Sequence, residues 1–98
     1  MWIGWIEFDL LLGDLHSLKD KRGSVRPLLA DLRRATDASV AEVGDQDLHR
    51  RAAIGVGAVA SDADRVTELL DRAERLVAGR PELTLLSARR RMRRSDDD

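Results

Sequence analysis

The chain has 98 residues, 43% hydrophobic and 36% charged, a balance that describes one globular domain able to bury a core without covalent staples. With a formal net charge of −1 and no cysteine, it is not a uniformly basic nucleic-acid binder and has no disulfide, thiolate metal site or cysteine nucleophile. The longest apolar run, Met1 to Leu12, is interrupted by Glu7 and Asp9 and falls short of the roughly 20 residues of a membrane-crossing helix. There is no basic leader with a small-residue cleavage site, so a cytoplasmic protein with no membrane partner is expected.

Trp2 to Leu12 alternates as a strand, with Ile6, Phe8 and Leu10 on one face and Trp5, Glu7 and Asp9 on the other. Gly13 and Asp14 break it. Val25, Leu28, Leu29 and Leu32 have the spacing of an amphipathic helix reaching about Ala35. Its start is ambiguous, because both Ser17, in a box with Asp20, and Ser24 have N-cap chemistry. Pro27 is easiest to place in the first turn after Ser24, which leaves residues 16–23 as a loop or a loosened first turn.

Ala38 to Val43 reads as a short strand, residues 44–47 as a turn, and Leu48 to Ala60 as a longer strand with Ile54, Val56 and Ala58 on one face. Ser61-Asp-Ala-Asp64 resembles a second capping box. It opens a helix through Val66, Leu69, Leu70, Ala73 and Val77, which Gly79 and Pro81 end. Leu83 to about Arg91 is the last strand. Residues 1–94 are expected to form a single domain and 95–98 a disordered acidic tail.

The order β-α-β-β-α-β predicts an α+β, ferredoxin-like fold, a four-stranded antiparallel sheet with both helices on one face. Ile6, Phe8, Leu10, Ile54 and Val56 would line the covered side, and the other face of the sheet stays open.

Three stretches, "HSLKDKR" after the first strand, "SVAEVGDQDLHRRAAIGV" and "SDAD" opening the second helix, make the chain similar to the YlxP-like family of small bacterial proteins. The resemblance runs from about Trp2 to Ala88. It implies the same ferredoxin-like fold and, because genes of this family often lie among those for translation initiation and ribosome maturation, a role near RNA or the ribosome. It carries over no catalytic residues. Many members have Trp-Gln where this chain has His49-Arg50, and aliphatic residues in place of Trp2 and Trp5.

The richest candidate site is the loop before the first helix. Lys19, Lys21 and Arg22 stand at a helix N-terminus, where the helix dipole disfavours cations by a few tenths of a kcal/mol each. Together with Arg26, Arg50 and Arg51 they would contact phosphates. The bland alternative is a solvated loop whose cations pair with surface acids. Arg89 to Arg94 would extend the footprint, or simply discourage pairing of an edge strand. On the open face Trp5 stands alone among the aromatics, near Glu7 and Asp9, whose charges would repel phosphate. Base stacking is therefore not expected there. Trp5 is expected instead to lie across Gly55 or Gly57 as an aromatic cover, or to centre a dimer contact. Glu42, Asp45 and Asp47 lack the calcium-loop spacing, so no metal site is assigned. His16 and Ser17 have no third group to orient them as a nucleophile pair, and His16 is expected to anchor the loop by hydrogen bonding.

The leading expectation is a non-enzymatic factor, without cofactor, that touches structured RNA such as rRNA or a ribosomal subunit. The alternative is a protein-interaction module or homodimer built on the open face around Trp5, Gly55 and Gly57.

Overall fold

The computed structural model describes residues 1–97. The elements are β1 (Trp2–Leu12), α1 (Leu18–Thr36), β2 (Ser39–Gly44), β3 (Arg51–Ala60), α2 (Ala63–Ala78) and β4 (Leu83–Arg94). The strands form one antiparallel sheet in the order β2-β3-β1-β4, so the two long inner strands are β3 and β1. This is the ferredoxin-like α+β arrangement expected from the element order. No helix among the described residues is long and apolar enough to cross a membrane.

The core lies between the sheet and the helices. Ile6, Phe8, Leu10, Ile54 and Val56 are all buried, as the alternation requires, against Val25, Leu28 and Leu32 of α1 and Val66, Leu70, Ala73 and Val77 of α2. At Gly4, on the same face of β1, a Cβ would fall 2.3 Å from Val66 Cγ1 and 3.1 Å from Leu70 Cδ1. The helix thus rests on bare backbone at this point, a close approach that only glycine permits.

Helix α1 begins at Leu18, earlier than the sequence reading, and residues 18–23 are helix rather than loop. Ser17 is the N-cap, its Oγ accepting from the Asp20 N–H at 3.1 Å, while Asp20 Oδ2 accepts from the His16 N–H at 3.3 Å. His16 is therefore anchored through its backbone. Pro27 sits inside the helix, where it removes one intrahelical bond at a cost of about 3 kcal/mol. Val25, Leu28 and Leu32 are each worth about 1.5–3 kcal/mol when buried, so packing outweighs the defect. At the other end Asp37 takes a left-handed conformation (φ 52°), and Thr36 Oγ1 donates to the Leu32 carbonyl at 2.6 Å.

Elsewhere the boundaries move by small amounts. β3 starts at Arg51 rather than Leu48. Asp45 is left-handed (φ 60°), and its carbonyl accepts from the Leu48 N–H at 3.1 Å, so residues 45–50 form a turn. The N-cap of α2 is Asp62, not Ser61, with Oδ1 accepting from the Arg65 N–H at 2.8 Å. β4 runs on to Arg94 and carries a bulge opposite Asp9 and Leu10. Of the expected acidic tail, Ser95 donates its N–H to the Met1 carbonyl at 2.9 Å and Asp97 accepts from the Arg94 N–H at 3.0 Å, while Asp98 lies outside the described residues.

Replacing Gly4 by Ala should destabilise the fold by about 1–3 kcal/mol, because the added methyl must displace the stiff, fully buried Val66. Urea unfolding should show a lower midpoint at unchanged slope. An unchanged midpoint would mean that α2 lifts freely from β1.

Candidate functional site

The two motif halves meet in space. The first turns of α1 pack beside the end of β2 and the turn that follows, and the link between them is Lys21. Its side chain is only 4% exposed, and its Nζ lies 2.8 Å from Glu42 Oε2. The same ammonium donates to the Asp45 carbonyl at 2.5 Å. Oε2 is buried and satisfied by no hydrogen bond, so the Glu42 contact is coulombic and the directed bond goes to the backbone of the turn. Lys21 is thus a tether between α1 and the β2–β3 turn. The expectation that it faces an external phosphate is corrected, because this nearly buried ammonium is already committed to a carboxylate and a carbonyl of its own chain.

The other five cations of the expected patch behave differently. Lys19, Arg22, Arg26, Arg50 and Arg51 are exposed, and none forms a hydrogen bond or ion pair through its side chain with the described residues. Lys19, Arg22 and Arg26 follow one another at helical spacing and share an arc of about 60° on α1. The polypeptide brings Arg50 and Arg51 to the same end of the sheet, since Leu12, at the close of β1, donates its N–H to the Arg50 carbonyl at 2.8 Å. Between α1 and the β2–β3 turn lies a cleft of about 410 Å³. Its apolar wall is Leu18, Val25 and Leu29, Arg22 and Arg26 stand along one side, and Gln46 and Asp47 stand along the other.

Most remaining cations are neutralised within the chain. Arg80 and Arg34 both reach Asp31, Arg72 pairs with Glu68 at 2.9 Å, and Arg90 pairs with Asp71 at 2.7 Å. Arg65 lies 3.1 Å from Glu68 and Arg94 lies 3.3 Å from Asp96, whereas Arg33 donates to the Val40 carbonyl at 2.8 Å and meets no acid among the described residues.

The open face also departs from expectation. Trp5 is 36% exposed and lies opposite Gly57 on one side and Arg91 on the other. It is not the cover of the glycines. A Cβ at Gly55 would meet Val43 Cγ1 at 2.9 Å, so Val43 covers that position, whereas a Cβ at Gly57 would meet nothing within 4 Å. The bare backbone leaves an apolar trough of about 320 Å³ between Trp5 and Val43. Beside it Arg89 Nη2 donates to Glu7 at 2.9 Å and Nη1 lies 3.2 Å from Asp9, whose Oδ2 also accepts from Ser87 Oγ at 2.7 Å. The Glu7 hydrogen bond, with the charge of Asp9, holds the guanidinium pKa above its usual value. The sequence reading missed this cross-strand neutralisation, although Glu7 and Asp9 on one inner strand next to an Arg-rich edge strand are its signal.

Residues 3–90 match the family described as "Protein of unknown function (DUF503)". The chain belongs to the DUF503 family. A curated relative, "Uncharacterized protein YlxP" of Bacillus subtilis (strain 168), is 30% identical over 81 residues, covering 83% of this chain and 88% of the relative. The YlxP-like resemblance of the sequence is therefore a true family relationship. Among solved structures, a mutant of SnoaB, a cofactor-independent oxygenase from Streptomyces nogalater, overlays with a TM-score of 0.46 at 10% identity, covering 99% of this chain and 95% of that one. The de novo designed protein Ferredog-Diesel overlays at 0.40 with 15% identity over 94% and 84% of the two chains. Likenesses this weak carry no inference about chemistry.

Replacing Lys21 by Met should cost about 3 kcal/mol, the lower end for a broken buried pair because Glu42 keeps 22% of its side chain exposed. Pairing it with Glu42→Leu should recover part of that loss, giving a coupling energy measurable by a double-mutant cycle in urea. Additive losses would show that the two charges do not interact.

Proposed function

We propose that this DUF503 protein is a non-catalytic factor that binds structured RNA, such as rRNA in a ribosomal particle, through the cationic end of its sheet. One observation carries the reading. Lys19, Arg22, Arg26, Arg50 and Arg51 stand at one end of the sheet and form no ion pair with the described residues, while Arg34, Arg65, Arg72, Arg80, Arg89, Arg90 and Arg94 are each paired with an acid of the same chain. Cations near a helix N-terminus do not stabilise that helix. Their gain comes when phosphates approach and release their counterions.

Such contacts fix position and orientation without reading base sequence, so selectivity would follow the shape of the RNA. The tether explains how a small surface keeps its geometry. Arg22 and Arg26 ride on the helix that Lys21 holds against the β2–β3 turn, and the same turn leads into Arg50 and Arg51.

Filter binding to a ribosomal RNA hairpin across a salt series checks the reading. Five phosphate contacts predict a log–log slope of about −4. Lys19→Glu with Arg22→Glu should weaken binding at low salt by at least tenfold and flatten the slope by about two, with the unfolding midpoint little changed because both side chains are exposed. Salt-insensitive binding, or none at low ionic strength, would overturn it.

A further inference from the structure

We infer that the open face of the sheet is a second nucleic-acid site of a different kind, in which a single unpaired base rests against Trp5 over Gly57 while its phosphate meets Arg91 and Arg93. The proposal goes beyond the phosphate-contact reading, because it adds contact with a base and requires single-stranded RNA.

Three features meet here. The first is shape. Trp5 projects from an inner strand, and the position directly across it on β3 is Gly57, where even a methyl group would touch nothing within 4 Å. The resulting trough of about 320 Å³ is floored by backbone and closed at its far side by Val43. A flat, apolar slot beside an indole suits a planar aromatic group, and base–aromatic stacking is sequence-tolerant because every base has a π-face.

The second is charge. Arg91 lies directly across β1 from Trp5, and Arg93 is two residues further along the same face. Both are exposed, and neither pairs with an acid among the described residues. The carboxylates that would repel phosphate, Glu7 and Asp9, are held by Arg89, and Asp9 also by Ser87. Arg89, Arg91 and Arg93 outnumber the two carboxylates on this face, so the balance of charge around Trp5 is positive. A base with an attached phosphate meets both requirements in one ligand.

The third is continuity. Arg51 of the cationic end lies across β1 from Leu11 and alternates outward with Ala53, Gly55 and Gly57. Six residues of strand, about 20 Å, separate Arg51 from Gly57 along one face. A strand leaving a structured element bound at α1 thus has a path to Trp5.

A second copy of this chain fits the face less well. A two-fold contact sets the patch against itself. It would enclose three arginines against two carboxylates on each copy, and the excess buried charge is strongly destabilising.

Fluorescence anisotropy with a labelled single-stranded 12-nucleotide RNA and a blunt hairpin of equal length tests the site. Trp5→Ala should weaken single-strand binding about tenfold, with Trp5→Phe retaining most of it. Gly57→Val should weaken it equally while leaving the melting temperature unchanged or raised, because the new side chain enters empty space on a strand. Arg91→Glu with Arg93→Glu should also reduce single-strand binding, and hairpin affinity should move less than twofold in all of these. Loss of hairpin binding alone in the Lys19→Glu, Arg22→Glu variant would support two separate sites. A wild-type chain that binds single strands but not the hairpin would overturn the phosphate-contact reading and support this one. Single-strand affinity indifferent to both Trp5→Ala and Gly57→Val would overturn the proposal. So would a wild-type dimer, seen by sedimentation, that Trp5→Ala converts to monomer.

Discussion

The buried ammonium of Lys21 is the contact on which the geometry of the proposed binding end depends. It ties the first turns of α1 to the carboxylate of Glu42 on β2 and to the carbonyl of Asp45 in the turn beyond. Without it the first turns of α1, which carry Arg22 and Arg26, would be held beside the turn by apolar packing alone. The motif that looks most like a binding loop thus has two jobs. Ser17, Asp20 and Lys21 build the junction, and Lys19 and Arg22 are what the junction displays.

The distribution of charge follows the same division. A domain with nearly balanced charge has enough acids to pair most of its cations, and over much of this surface it does so. Asp31 serves two arginines, Glu68 serves two more, and Glu7 and Asp9 share Arg89. Individually these exposed pairs contribute little to stability. Collectively they leave cations without an acid among the described residues mainly at one end of the sheet and beside Trp5, with Arg33 and Arg75 the others on the helices. Net charge alone hides this, because binding responds to the local potential rather than to the sum.

How much of this was legible in the sequence depends on whether the signal was periodic or pairwise. The alternation of β1 and the apolar stripe of α2 gave strand and helix directly, because each is a repeated demand of one core. The start of α1 was misread because Gly23 and Pro27 are local breakers, and a local rule cannot weigh them against the burial of Leu28 and Leu32. Had the helix been carried back to Leu18, Lys21 would have fallen in line with Val25, Leu28 and Leu32 on the buried stripe. That is a sequence-visible warning that it is not a surface cation. The pairing of Arg89 with Glu7 was harder to see, because it depends on strand register, and the bulge in β4 shifts the register where the sequence shows no glycine to mark it.

The glycines of the sheet show how one residue type serves opposite ends on its two faces. At Gly4 a side chain is forbidden because α2 already occupies the space, so the missing Cβ brings a helix closer and tightens the core. At Gly57 a side chain would be welcome to the fold, since a branched residue packs well on a strand and glycine there weakens it. Stability supplies no reason for Gly57, just as it supplies none for leaving Arg91 and Arg93 without acids. The proposed base-and-phosphate contact would offset both losses at once, on one contiguous surface.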